Sequence, residues 1–336
     1  MNFRLTPRLV LLGLLIALLA VVAAGCGRED EDTSGNGAAA GTTSDGGDEE
    51  LSGRVQIDGS STVGPLTTSA AELFREEQPK VSVEVGISGT GGGFERFCVG
   101  ETDISNASRP IKDDEEAPIC EENGIEYTEF EVAVDALTVV VNTENDWAEC
   151  LTVEQLAAIW GTDSKIENWN EIPDADFPDQ PLELAGPGTD SGTFDYFTDE
   201  INGEEGASRS DYTASEDDNV VVQAVSGNKG GLGYFGFSYY EENQDTLKAV
   251  PIDGGEGCVE PSVDAARSGE YAPLSRPLFI YVKNEALAKP EVEAFVRFYF
   301  ENIGEVAEQA QFIPLPDETA EEIMANLDAA VAEAGA

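Results

Sequence analysis

The sequence contains no histidine, and this absence removes several classes of site at once. Ser-His-Asp and Cys-His catalysis, histidine-ligated metals and the usual neutral-pH general base all need an imidazole. Basic residues are also scarce, because 18 Lys and Arg stand against 67 Asp and Glu, for a net charge of −49. A surface this acidic repels polyanions, and we therefore expect no nucleic-acid partner.

Long hydrophobic runs are equally few. One run near membrane length covers residues 9–24, follows a positively charged start and ends in the sequence AAGC at 23–26. These features resemble a bacterial lipoprotein signal, which predicts a signal peptide over 1–25 and a diacylglyceryl group on Cys26. A plain signal peptide and an uncleaved anchor helix are the alternatives. The lipoprotein interpretation predicts an extracytoplasmic protein, anchored to the cell membrane through Cys26.

Four cysteines remain after Cys26, namely Cys98, Cys120, Cys150 and Cys258. An even number in an oxidising compartment favours two disulfides, and four cysteines allow three pairings between which the sequence alone does not choose. No two of them have the close spacing of zinc ligands. We expect neither a metal nor a cofactor.

The chain changes character near residue 53. Residues 26–52 are acidic and rich in small residues, which predicts a disordered linker. Beyond it, strand-like runs alternate with helical patterns, which indicates an α/β fold. Strands are predicted at 54–58, 81–87, 102–106, 125–134, 135–145, 182–186 and 276–284, and helices at 64–77, 93–99, 152–161, 191–201, 219–227, 290–303 and 317–334.

Three loops share one design, in which a strand runs into a Gly/Ser/Thr segment that opens a helix. They are GSSTVGP at 59–65, SGTGGG at 88–93 and GPGTDSGTF at 186–194. A helix start presents free N–H groups, glycine lets a ligand approach the backbone, and hydroxyls add donors. Ser and Thr are also ordinary helix caps, but three such loops together favour a site for a small oxyanion.

Two arginines stand out in so acidic a chain. Arg109 lies in NASRP and Arg209 in SRSDYTASEDDN, each beside serine in a predicted loop. A guanidinium suits tetrahedral oxyanions, although an ordinary surface ion pair is the alternative for both. The segment GLGYFG at 231–236 matches a dinucleotide-binding pattern but lacks its strand and helix context, so a tight aromatic turn is expected instead.

An ordered series of segments carries a family resemblance over residues 54–316. In order they are IDGSSTVGPLT, SGTGGGFERF, TDISNASRPI, VNTEND, LTVEQLAAIW, WNEI, GPGTDSGTFDYF and GGLGYFGFSYY. This series resembles the phosphate-binding lipoproteins of bacterial phosphate ABC importers. The resemblance implies a two-lobed periplasmic-binding-protein architecture of type II, with two crossover strands, DALTVVVN and RPLFIYV, and hinge closure.

The resemblance also implies a division into lobes and a disulfide pairing. Lobe one would comprise residues 53–134 plus 276–336, and lobe two residues 135–275. Because a disulfide across the lobes would lock the hinge, this division implies the pairs Cys98–Cys120 and Cys150–Cys258.

A phosphate site is implied by the same three loops. Matched residue by residue, its donors would be Ser61, Thr62, Ser88, Thr90, Ser191, Gly192 and Thr193. The sequence departs from the family pattern twice. Arg109 stands where many members have the Asp that accepts the phosphate proton, and Pro187 stands where many have an Arg. We therefore expect Arg109, with Ser108 beside it, as the charge partner, Arg209 as a second candidate and Asp190 as the proton acceptor.

The implied function is binding without chemistry. The resemblance predicts a monomeric, lipid-anchored receptor, not an enzyme, that binds inorganic phosphate and delivers it to the permease subunits of an ABC importer. The alternatives are a receptor for another tetrahedral oxyanion, a phosphate-sensing surface lipoprotein and a secreted phosphatase.

Overall fold

The structure is a computed structural model, and it describes residues 51–335. The predicted signal peptide over 1–25, the lipidation site Cys26 and nearly all of the linker over 26–52 lie outside the described residues. Within the described part of the chain, no helix is both long enough and apolar enough to cross a membrane.

Twelve strands and eleven α-helices occupy residues 51–335. The strands are β1 (Gly53–Gly59), β2 (Val81–Val85), β3 (Ile104–Ala107), β4 (Tyr127–Asn142), β5 (Leu151–Thr152), β6 (Glu183–Gly186), β7 (Thr213–Ala214), β8 (Gly231–Gly236), β9 (Leu247–Ala249), β10 (Ile252–Asp253), β11 (Cys258–Val259) and β12 (Ser275–Lys283). The helices are α1 (Gly64–Glu77), α2 (Gly89–Phe97), α3 (Ala117–Glu122), α4 (Val153–Trp160), α5 (Gly192–Asn202), α6 (Asp218–Ser226), α7 (Phe237–Asn243), α8 (Val263–Ser268), α9 (Pro290–Glu301), α10 (Ile303–Gln309) and α11 (Asp317–Ala334). Two 3₁₀ helices cover Trp169–Glu171 and Asn284–Ala288.

The main sheet is mixed and has the order β2-β1-β3-β12-β4-β8-β6-β7, with β9 added beside β4. Strands β1, β2 and β3 are parallel, and β12 is antiparallel to both β3 and β4. A small second sheet contains β11, β10 and β5. The predicted α/β class with two crossover strands is confirmed, because β4 and β12 pair with each other at the centre of the sheet.

The two largest hydrophobic clusters of the described residues lie along β4. The first packs α1, α9 and α11 on the sheet and contains Phe74 and Phe295. The second contains Trp160, Trp169 and Tyr234. Residues 127–136 of β4 pair with β12, whereas residues 137–141 pair with β8. Residues 132–142 are buried without interruption, as expected for a strand covered on both faces.

Three local predictions differ from the structure. The runs at 125–134 and 135–145 form one continuous strand, and GLGYFG forms strand β8 instead of a turn. Helix α2 begins at Gly89, inside the segment predicted as a loop. Its glycines serve close packing, because a Cβ on Gly93 would lie 2.5 Å from the Cα of Gly59. The helix can therefore approach β1 more closely than any side chain would permit.

The four described cysteines form two disulfides. Cys98 is bonded to Cys120, and Cys150 is bonded to Cys258. These are the two pairs that the family resemblance implies.

Candidate functional site

Five parts of the chain meet at one cavity of about 350 Å³, which we call the interloop pocket. The loops after β1, β2 and β3 reach it from the same edge of the sheet because these strands are parallel neighbours. Helix α5 and the start of β12 complete the wall. The pocket is lined by Ser60, Ser61, Thr62, Ser88, Gly89, Thr90, Gly91, Ser108, Arg109, Asp195, Tyr196, Asp199, Glu200, Glu205 and Arg276.

The first loop presents hydroxyls that the helix does not use for capping. Ser60, which the sequence analysis did not select, accepts hydrogen bonds from the backbone N–H groups of Thr62 and Val63 at 3.2 and 3.4 Å. These bonds lie in the turn before α1, whose N-cap residue Val63 has no side-chain capping hydrogen bond. The hydroxyls of Ser61 and Thr62 line the pocket wall, where Ser61 Oγ lies 3.5 Å from Asp195 Oδ2 and Thr62 Oγ1 accepts from Arg276 at 3.1 Å.

The second and third strand ends are tied together. Thr90 Oγ1 lies 3.0 Å from Ser108 Oγ, and the Ser108 backbone N–H donates to Thr90 Oγ1 at 3.2 Å. Ser88 precedes α2, but its side chain makes no capping hydrogen bond. The structure therefore places Ser88, Thr90 and Ser108 on one side of the pocket, as predicted from their loops.

Arg109 lines the pocket beside Ser108, and its guanidinium is already paired. Its two terminal nitrogens donate to the two carboxylate oxygens of Glu116 at 2.7 and 2.8 Å. These hydrogen bonds raise the pKa of Arg109 above its ordinary value, so its charge is permanent. The bidentate pair fixes the plane of the guanidinium at the pocket wall.

Arg276 is a second cation in the pocket, and the sequence analysis missed it. It lies in β12, where its Nε is 3.3 Å from Asp135 Oδ2 on the neighbouring β4. One terminal nitrogen donates to Thr62 Oγ1 at 3.1 Å. Asp135 is buried, and this burial raises its pKa although the charge of Arg276 opposes the shift. The available signal was an arginine at the start of the apolar run RPLFIYV.

The third predicted loop contributes differently from the first two. Ser191 caps α5 by accepting from the Thr193 N–H at 3.2 Å, and a Cβ on Gly192 would lie 3.1 Å from Thr62 Oγ1. The start of α5 is thus adjacent to the first loop, but Ser191, Gly192 and Thr193 do not line the pocket. Asp190 lines a separate surface depression, with Ile87.

Helix α5 presents carboxylates to the pocket where sequence analysis expected hydroxyls and N–H groups. Asp195 is half-buried, with its Oδ2 3.5 Å from Ser61 Oγ. Asp199 and Glu200 of the same helix, and Glu205 in the loop that follows it, line the same pocket and are exposed. Side chains four residues apart share one helix face, so Asp195 and Asp199 point to the same side.

The expectation that Arg209 is a second charge partner is wrong in one respect, because the structure places this residue away from the interloop pocket. Its side chain is buried and donates to the backbone carbonyls of Ile159 and Ile166 at 3.1 and 2.9 Å. It also forms two hydrogen bonds with the Asp211 carboxylate, at 2.7 and 3.0 Å. Its donors hold the segment after α4, and its side chain does not line the interloop pocket.

The interloop pocket thus combines hydroxyl donors and two guanidiniums with four carboxylates. A family model described as a PBP superfamily domain matches residues 34–302, which is most of the chain. The chain belongs to the PBP superfamily.

Named relatives agree with this membership of the PBP superfamily. Protein SphX of Synechococcus elongatus is 51% identical over 265 residues, covering 78% of this chain and 77% of the relative. Phosphate-binding protein PstS of Staphylococcus saprophyticus is 41% identical, covering 82% of this chain and 85% of the relative. A solved structure described as a "possible phosphate binding protein" from Planctomyces limnophilus is 46% identical, with a TM-score of 0.80 over 83% of this chain and 99% of that one.

Proposed function

We propose that this PBP superfamily member is an extracytoplasmic receptor that binds inorganic phosphate in the interloop pocket and delivers it to the permease of an ABC importer. The observation that carries the proposal is the meeting of three strand-end loops and two arginines at one pocket. The printed names of relatives at 41% and 46% identity, which refer to phosphate binding, support the choice of anion. Receptors of this kind bind their solute unchanged, so no catalytic group is required.

The ligand set in this proposal differs by three residues from the set expected from sequence. It keeps the hydroxyl and N–H donors and Arg109, adds Arg276, and leaves out Arg209 and Asp190. Its members are Ser61, Thr62, Ser88, Thr90, Ser108, Arg109, Ser191, Gly192, Thr193 and Arg276. Ser191, Gly192 and Thr193 stay in the set because a Cβ on Gly192 would lie only 3.1 Å from Thr62 Oγ1, which places the start of α5 beside the first loop.

Affinity in such a site comes from contact-range donors, because the overall field opposes an anion. The chain has a net charge of −49, which slows the approach of phosphate over long distances. Salt screens those distant charges within about 10 Å at 0.1 M. Each charge-assisted hydrogen bond in the pocket contributes about 1.5–3 kcal/mol, so a few donors suffice.

The proposal includes a lobe division, an anchor and an oligomeric state. Lobe one would comprise residues 53–134 plus 276–336, and lobe two residues 135–275, a division that the second hydrophobic core supports because all of its buried members lie within 137–274. Arg276 and Asp135 then lie on the two crossover strands, next to the lobe boundary. A diacylglyceryl group on Cys26 would tether the monomeric receptor beside its permease.

The test is calorimetry on protein that has been unfolded and refolded to remove bound phosphate. We expect phosphate binding well below millimolar. Arg276→Lys should lose about tenfold or more in affinity, because a lysine keeps the charge but cannot form the stacked, forked contact. Arg297→Lys is the matched control, since Arg297 pairs with Glu293 and Asp328 on the distant α9 and α11 surface. Absence of submillimolar binding in the wild type would refute the proposed function.

A further inference from the structure

The charges around the interloop pocket do not balance in favour of an anion. Arg109 is paired with Glu116, and Arg276 is paired with Asp135. Each guanidinium therefore already faces one carboxylate. The pocket wall adds four more carboxylates, which we call the carboxylate wall: Asp195, Asp199, Glu200 and Glu205. Among the residues lining the pocket, cations are outnumbered by carboxylates by four to two.

The members of the carboxylate wall have little to neutralise them. Asp195 has Ser61 Oγ at 3.5 Å, and no hydrogen bond to a cation is recorded for any wall carboxylate within residues 51–335. Burial raises the pKa of Asp195, while the Ser61 hydroxyl and the charge of Arg276 only partly oppose the shift. Partial burial also raises the pKa of Glu200 and of Glu205, neighbouring aspartates add to both shifts, and the charge of Arg276 opposes both.

A bound phosphate dianion would add two charges beside this wall. Each carboxylate near the anion repels it, and this repulsion opposes the hydrogen bonds that the pocket donors supply. Taking up a proton removes the largest of these repulsions. Asp195 is the best placed acceptor, because its carboxylate lies 3.5 Å from the hydroxyl of Ser61, a member of the proposed ligand set.

We propose that the carboxylate wall makes the pocket select anions by charge, so that about one proton enters from solvent with each phosphate dianion and is held between Asp195 and the bound anion. The inference rests on the proposed function, since it concerns the same pocket. It assigns to Asp195 the choice between anion forms, and to Asp199, Glu200 and Glu205 a weaker contribution at the mouth.

Proton uptake on binding makes the affinity for the anion fall as pH rises. If one proton is taken up on binding, the association constant falls about tenfold for each unit by which pH rises, once the free anion and the wall are deprotonated. Sulfate distinguishes a proton on the protein from a proton on the ligand, because sulfate carries no titratable proton near neutral pH. Any proton taken up with sulfate must therefore reside on the protein.

The experiment is calorimetry at pH 8.5 in two buffers of different ionisation enthalpy, with phosphate and with sulfate. The difference in observed enthalpy gives the number of protons taken up. We expect about one proton per phosphate for the wild type, and sulfate binding that weakens about tenfold per pH unit between pH 6 and 8. Asp195→Asn should take up almost no proton and should bind the phosphate dianion more tightly than the wild type at pH 8.5.

Two further variants keep the result interpretable. Asp199→Asn/Glu200→Gln/Glu205→Gln should show a smaller reduction in proton uptake than Asp195→Asn. Glu322→Gln, an exposed change on α11, should match the wild type. Phosphate binding without proton uptake, or an Asp195→Asn variant that weakens equally at every pH, would overturn the inference while leaving the phosphate receptor intact. Absence of any binding would instead refute the proposed function, and the inference with it.

Discussion

The guanidinium of Arg276 lies over the ring of Tyr196, with 3.5 Å between Cζ and the ring centroid. Arg276 belongs to β12, whereas Tyr196 belongs to α5, and the same guanidinium also reaches Thr62. Tyr196 is held in turn by its hydroxyl, which donates to the Pro273 carbonyl at 2.6 Å. One side chain therefore joins the first loop, α5 and a central strand, which is why it dominates the properties of the pocket.

The pair of Arg276 and Asp135 predicts an asymmetric effect on stability. Arg276→Gln alone should lower the free energy of unfolding by about 3 kcal/mol at pH 7, because it leaves the buried Asp135 carboxylate without its cation. Asp135→Asn/Arg276→Gln should recover most of that loss. Urea unfolding at pH 5 and pH 8 measures both variants.

The pH dependence of the single variant follows from the Asp135 carboxyl, whose pKa burial already raises. A raised pKa means that the folded state binds more protons than the unfolded state, so stability falls as pH rises through that range. The defect of Arg276→Gln should therefore be smaller at pH 5 than at pH 8. Equal defects at both pH values would contradict this explanation.

Replacing Arg209 should lower stability but leave phosphate affinity nearly unchanged. Arg209→Met should reduce stability by about 3 kcal/mol, because the carbonyls of Ile159 and Ile166 lose buried donors. Phosphate affinity should remain within about twofold of wild type, since Arg209 lies outside the interloop pocket. Thermal unfolding and calorimetry on one preparation give both values, and a large loss of affinity would restore Arg209 as a ligand.

Asp218 predicts an increase in stability on neutralisation. Burial, with the nearby charges of Asp217 and Glu216, raises the pKa of Asp218 from 3.8 to about 6. Because the folded state holds this proton more tightly, stability declines between about pH 4 and pH 6, and the penalty is complete above that range. Asp218→Asn should add about 1–2 kcal/mol at pH 7, after allowance for solvent screening, and nothing at pH 3.5. Chemical unfolding across this pH range is the measurement, and a gain that is constant with pH would argue for a cause other than titration.

The two disulfides differ in the length of chain that they close. Cys98–Cys120 spans 22 residues and Cys150–Cys258 spans 108. In the chain-entropy model the first stabilises by about 3 kcal/mol and the second by about 5 kcal/mol. Cys150→Ser/Cys258→Ser should therefore unfold at a lower urea concentration than Cys98→Ser/Cys120→Ser. The reverse order would indicate that local packing outweighs the entropy of the unfolded chain.

Much of the fold follows from local patterns. The helix predicted at 64–77 forms with those bounds, and Thr152 caps α4 with the Gln155 capping box that its residue types favour. The strand bounds within residues 125–145 were harder to predict, because a strand buried on both faces lacks the alternation of polar and apolar residues that marks where a strand ends. Gly93 was also misread, since its role is close contact with β1 and not chain flexibility.

The sequence by itself determined the α/β class, the three hydroxyl-bearing strand ends and the absence of histidine chemistry, because these depend on residue type and on spacing along the chain. Only the tertiary structure decided which cation faces the pocket, placing Arg276 there and Arg209 elsewhere. It also decided that α5 contributes carboxylates to the wall. The physical reason is that β12 pairs with β4 across about 140 residues of chain, and the direction in which a side chain points from that pairing is set by the sheet, not by its neighbours in sequence.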